Sequence, residues 1–99
     1  MAEHPLSTIM KLDPVIMDHL EKTNELVYGE GALPKKYKYL IAMAFDAAHG
    51  AVNGVRSLAQ SALIESASKE EIAETLRVAY QLGGVGSLYI GSQGLKDII

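Results

Sequence analysis

The chain has 99 residues, a formal net charge of -3, no cysteine and a hydrophobic content of 48%. That length makes one domain, with a core of its own but with much apolar surface left over unless copies associate. The missing cysteine excludes disulfides, thiolate nucleophiles and cysteine-ligated metals, and the acidic balance lacks the basic footprint of nucleic-acid binders.

The N-terminal stretch MAEHPLSTIMKL has no basic start followed by an apolar segment. Nowhere does the chain hold the run of about 18 apolar residues that a membrane span requires. The expectation is a cytoplasmic protein that binds neither membrane nor nucleic acid.

A short helical turn is predicted around Ser7 to Lys11. Asp13-Pro14 then reads as an N-cap followed by proline at the first helical position, where its missing N–H costs nothing. Ile16, Leu20 and Val27 recur at helical spacing as the apolar face, until Gly29-Glu30-Gly31 stops the run. Pro34 opens the next helix in the same way, with Leu40, Ile41, Ala44, Phe45 and Ala48 tracing its apolar face and His49-Gly50 ending it. A further helix is predicted from about Val52 to Glu65, with Val55, Leu58, Ala59, Ala62 and Leu63 inward and Asn53, Arg56 and Gln60 on a polar face.

Ser68-Lys69-Glu70-Glu71 is a capping box, in which the Ser68 hydroxyl accepts from the Glu71 N–H while the Glu71 carboxylate reaches back. Ile72, Leu76, Ala79 and Leu82 give the helix that follows its apolar stripe, and Gly83-Gly84 interrupts it. The remaining segment, VGSLYIGSQGLKDII, is rich in glycine, which weakens a helix by up to about 1 kcal/mol per interior site and persists where backbones approach closely. No strand pattern or internal repeat breaks this series. The fold class is all-α, a compact bundle of five to six helices, with residues 1–99 as a single domain.

The order GALPKKYKYLIAMAFDAAHG, then ALIESASKEEIAETLRVA, then a glycine pair, resembles the carboxymuconolactone decarboxylase and alkylhydroperoxidase D-like family over roughly residues 33 to 95. The resemblance implies that family's all-α fold and its habit of forming homo-oligomers, trimers or hexamers. The peroxidase branch carries Glu, eleven residues, Cys-x-x-Cys, three residues and His. Ungapped alignment from the ASKEEI restart places those positions at Tyr39, Ala51, Gly54 and Leu58. None of the four residue types is present. Thiol peroxidase chemistry needs one thiolate to attack the O–O bond, a second thiol to resolve the sulfenic acid, and a proton relay. Ala51 and Gly54 supply no sulfur, and Leu58 relays no proton. Tyr39 offers only a phenol, a side-chain type that is a poor general base at neutral pH.

Replacement groups come from the same stretch. Asp46 stands three residues before His49 and has the spacing to orient its imidazole, although a cation at a helix C-terminus is favoured on dipole grounds alone. Arg56, with Asn53 and Gln60 beside it, has the chemistry to hold a carboxylate, but a solvated face or a salt bridge to a neighbouring subunit is the simpler reading. The three lysines and two tyrosines of PKKYKY read as a helical turn with snorkelling lysines, not a nucleic-acid strip. His4 and His19 have no partners at metal spacing, and neither metal nor cofactor is expected. Glu70, Glu71 and Glu74 suit a helix N-terminus.

Two functions follow. One is a homo-oligomeric, non-peroxidase module that binds a small molecule in the space the cysteines would line. The other is a lyase or decarboxylase acting on a small carboxylate or lactone through His49, Tyr39 or Tyr37, and Arg56. Ala51, Gly54 and Leu58 fall on one helix face toward the preceding helix, so that space is expected to be apolar and narrow, with Arg56 turned to solvent or to a neighbouring subunit.

Overall fold

In the computed structural model, which describes residues 4–99, six helices succeed one another: α1 (Ser7–Leu12), α2 (Pro14–Tyr28), α3 (Lys35–His49), α4 (Val52–Ile64), α5 (Lys69–Gly83) and α6 (Gly86–Leu95). The fold is all-α. The local chemistry that starts and stops these helices is largely what the residues dictate. The Asp13 carboxylate accepts the Ile16 N–H at 3.2 Å, Gly50 ends α3 in the left-handed region at φ 84°, and the reciprocal Ser68–Glu71 capping box opens α5. Pro34 differs from its expected place. It is the N-cap of α3, not the first helical residue, with an extended ψ of 145° that leaves its carbonyl to accept the Tyr37 and Lys38 N–H groups.

Helices α3 to α6 enclose the core. Leu40, Met43 and Ala47 of α3 meet Val55, Ala59 and Ala62 of α4, with Ala67, Ile72 and Ala79 completing the buried set. So many small side chains let the helix axes approach closely. Gly94 is the clearest case, because a Cβ there would stand 2.6 Å from Val55 Cγ1, far inside van der Waals contact. Helix α6 therefore seats on α4 only with glycine at that position. Ser87 is buried, and its hydroxyl donates to the Ala79 carbonyl at 3.3 Å.

Helices α3 and α5 run side by side in the same direction. The Lys36 ammonium meets the Glu71 carboxylate at 3.1 Å where both begin, and Gly83 lies against Ala48 where both end. The carboxyl of Glu71 is held below the ordinary glutamate range, first by the Ser68 backbone N–H and then by Lys36. Lys36 is correspondingly raised by its hydrogen bond to Glu71.

The N-terminal pair departs from the expected packing. Helix α2 has no buried residue, and its predicted apolar face of Ile16, Leu20 and Val27 stays exposed. Helix α1 packs on α2. Helix α2 is tied to α3 through the stacked rings of Tyr28 and Tyr39, 5.1 Å apart, and through the Lys38 ammonium, which donates to the Gly29 carbonyl at 2.7 Å. This arm extends the molecule. The radius of gyration is 14.3 Å, against about 12.6 Å for a compact chain of this length. The solvent-accessible surface is 7039 Å², against about 5500 Å² for a folded monomer of this mass.

Candidate functional site

The α3–α4 hairpin carries Tyr39, Ala51, Gly54 and Leu58, the residues that the ungapped alignment sets against the peroxidase pattern. Its tight turn is made by Gly50, after which the Ala51 N–H donates to the Asp46 carbonyl at 2.8 Å. Ala51 is the N-cap of α4, and it offers no side-chain acceptor to the free N–H groups of the first turn. That turn contains no acidic residue either. Asp46 supplies the missing charge from α3: its carboxylate lies against Gly54, where any side chain on that residue would begin. A carboxylate beside an otherwise uncapped helix N-terminus is electrostatically favourable. The space is therefore polar, and the expectation of an apolar one is corrected. Helical spacing alone points Asp46 at His49, but the rotamer carries the carboxylate across to α4.

The other three positions hold structural side chains. Tyr39 stacks on Tyr28 and, with Leu58, packs against the core, while Ala51 starts α4. Among the described residues Asp46 and His49 share no hydrogen bond. The His49 ring is instead tilted at 44° against Phe45, with centroids 6.1 Å apart. Arg56 is half-buried at the surface and engaged by its own chain. Its guanidinium donates to the carbonyl oxygens of Gly94 and Lys96, satisfying acceptors that the end of α6 leaves free. Asp46, His49 and Arg56 thus face three different surroundings.

An open concave surface lies elsewhere, between α3 and α5. It is a groove of about 680 Å³, within the range of small-molecule sites. Its walls are chiefly Leu40, Ile41, Ala44 and Phe45 from α3 and Val78 and Leu82 from α5, with Tyr37, Glu71 and Glu74 toward one end and His49 toward the other. Twelve positions separate Tyr37 from His49 on α3, about 18 Å along the axis, so those two groups do not meet on one reacting atom. The lining includes two glutamates and neither lysine nor arginine. Tyr39, Ala51, Gly54 and Leu58 are not part of it.

Sequence periodicity assigned Ile41, Phe45 and Leu82 to the core. The signal that corrects this is the breadth of the apolar arc on α3, where Leu40, Met43 and Ala47 form one stripe and Ile41, Ala44, Phe45 and Ala48 a second. A single stripe suffices for one core, so the second indicates another apolar contact. Among the described residues no cluster of His, Asp and Glu is placed to hold a metal ion, and no helix is long and apolar enough to cross a membrane.

The match to known proteins agrees with this architecture. A crystal structure of the apo form of a carboxymuconolactone decarboxylase family protein from Legionella pneumophila is similar, with 32% identity, a TM-score of 0.83, and coverage of 92% of this chain and 81% of that one. No curated protein sequence matches the chain. The carboxymuconolactone decarboxylase family model matches residues 14–89, a span that runs from α2 through α5 into the start of α6. The chain belongs to the carboxymuconolactone decarboxylase family.

Proposed function

We propose that the chain is a homo-oligomeric, non-peroxidase member of its family that holds a small apolar molecule in the α3/α5 groove. The observation that carries this reading is the contrast between two places on α3. At the hairpin, the residues aligned with the two thiols are an alanine and a glycine, and the Asp46 carboxylate stands where a side chain on Gly54 would begin. Along the groove, apolar side chains that would ordinarily be buried stay accessible around a volume of molecular size.

A lyase acting on a small carboxylate or lactone is less well supported. Its candidate groups do not converge: Arg56 is engaged by the end of α6, Tyr39 by Tyr28, and His49 lies far along the helix from Tyr37. The glutamates at the groove also disfavour an anionic substrate.

The test is thermal unfolding against a panel of small molecules, both neutral apolar compounds and carboxylic acids, combined with light scattering during gel filtration. A ligand present at a hundredfold excess over its Kd stabilises by about 2.7 kcal/mol. The expected result is stabilisation by neutral apolar compounds on a protein larger than one chain. Stabilisation by carboxylic acids alone would favour the lyase, and a monomer at micromolar concentration would refute the oligomeric module.

A further inference from the structure

We propose that the α3/α5 groove is roofed by the α1–α2 arm of a second copy of this chain, so that the ligand site is complete only between protomers. This rests on the self-association in the reading above and adds which surfaces meet. The groove is open on one side: Phe45 is 61% and Leu82 80% exposed. Sites that retain small molecules bury most of the ligand surface, and two parallel helices alone supply only a floor and walls.

The chain's own arm is held on the wrong side. Taking 100° per residue around α3, the groove residues Tyr37, Ile41, Ala44, Phe45 and Ala48 share one face, and Tyr39, which anchors α2 through Tyr28, points the opposite way. The arm meanwhile has an exposed line of matching length with an apolar residue at each end, and within it His19 also borders the hollow between α1 and α2. Val15, His19, Lys22 and Leu26 fall in one line along α2, all of them exposed, Leu26 to 83%. Val15 and Leu26 span about 16 Å, close to the length of the groove. The cation of Lys22 lies between them, with the carboxylates of Asp18 and Glu25 to one side of that line, and the groove carries Glu74, exposed and on the same strip as Val78. The amount of surface agrees as well. The excess of about 1500 Å² over a compact monomer exceeds the roughly 800 Å² that each partner buries in an interface of standard size. Reciprocal exchange between two copies, or head-to-tail closure of a ring, covers every groove with one arm.

The absence of cysteine makes the test direct, since any thiol introduced is unique. Leu26→Cys and Phe45→Cys change exposed side chains and leave the core intact. Co-expressed as one tagged and one untagged chain and treated with a short bis-maleimide, they are expected to give a tagged–untagged covalent pair in high yield. Leu26→Cys paired with Ile64→Cys, which is exposed but outside both surfaces, is expected to give at least tenfold less. An assembly that persists in light scattering while the two pairs link equally, or not at all, overturns the arm-in-groove contact and leaves self-association standing. A monomeric protein overturns both.

Discussion

The carboxylate of Asp46 lies against the α-carbon of Gly54, so that a side chain at position 54 and the present rotamer of Asp46 exclude each other. The clash involves the end of a short, half-buried side chain, which can rotate away. Gly54→Ala is therefore expected to change stability by less than about 1 kcal/mol, because the gain in helix propensity offsets the displaced charge. Gly54→Leu should lose about 1 to 3 kcal/mol through overpacking. Asp46→Ala should recover part of that loss in the double variant, a coupling that urea unfolding of the four proteins measures.

The same contact bears on attempts to restore thiol chemistry. Ala51→Cys with Gly54→Cys places two sulfurs at i,i+3 on the start of α4, but the second collides with Asp46. Disulfide formation on mild oxidation is expected to be faster when Asp46→Ala is added. Mass spectrometry after thiol blocking reads the disulfide fraction. Equal rates with and without Asp46 would show that the carboxylate does not occupy that space. The unaltered chain should reduce organic hydroperoxides no faster than the uncatalysed reaction.

Arg56→Ala removes the donor that holds the carbonyl groups of Gly94 and Lys96. A hydrogen bond from a charged donor contributes about 1.5 kcal/mol or more. The urea midpoint should fall with little change in slope, and amide exchange should accelerate in residues 95–99. Unchanged exchange there would mean that the contact stabilises nothing.

Glu71 gives a pH dependence of known sign. Its folded pKa is depressed, so its contribution is complete above the ordinary value of 4.5 and is lost as the pH falls through the lower folded value. Lys36 acts in the opposite sense: its raised pKa makes its contribution complete below 10.5 and lost as the pH rises through the folded value. Glu71→Gln should flatten the fall in stability below about pH 4.5 measured by chemical unfolding at several pH values. An unaltered acid limb would contradict the assignment. Ser68→Ala, which removes the other half of the capping box, should cost about 1 kcal/mol.

The sequence made the helices legible because their ends are written in local chemistry. Asp13, Gly50 and the Ser68–Glu71 pair act on backbone groups a few residues away, and no distant contact alters that. The inward residues of α4 were legible for a related reason: Val55, Ala59 and Ala62 form the single apolar stripe of a helix that has one core to face. What periodicity misassigned lies on α2 and along the groove. Ile16, Val27, Phe45 and Leu82 have the spacing of core residues, yet among the described residues none buries them. Hydrophobic pattern records that a face is to be buried without recording whether the cover belongs to the same chain. The placement of Asp46 was hidden for another reason. A rotamer that crosses from α3 to α4 depends on the α3–α4 packing, and the nearer partner at i,i+3 was the only one that spacing alone could name.

Titration with the neutral apolar fluorophore N-phenyl-1-naphthylamine tests most directly whether the groove is the functional surface. The unaltered protein is expected to bind it saturably, at no more than one site per chain. Phe45→Glu should abolish that binding, whereas Ala51→Ser and Leu58→Val, at the positions aligned with the peroxidase pattern, should leave it unchanged. Undiminished binding in Phe45→Glu, or loss of binding in the Ala51→Ser variant, would contradict the account by returning the function to the α3–α4 hairpin.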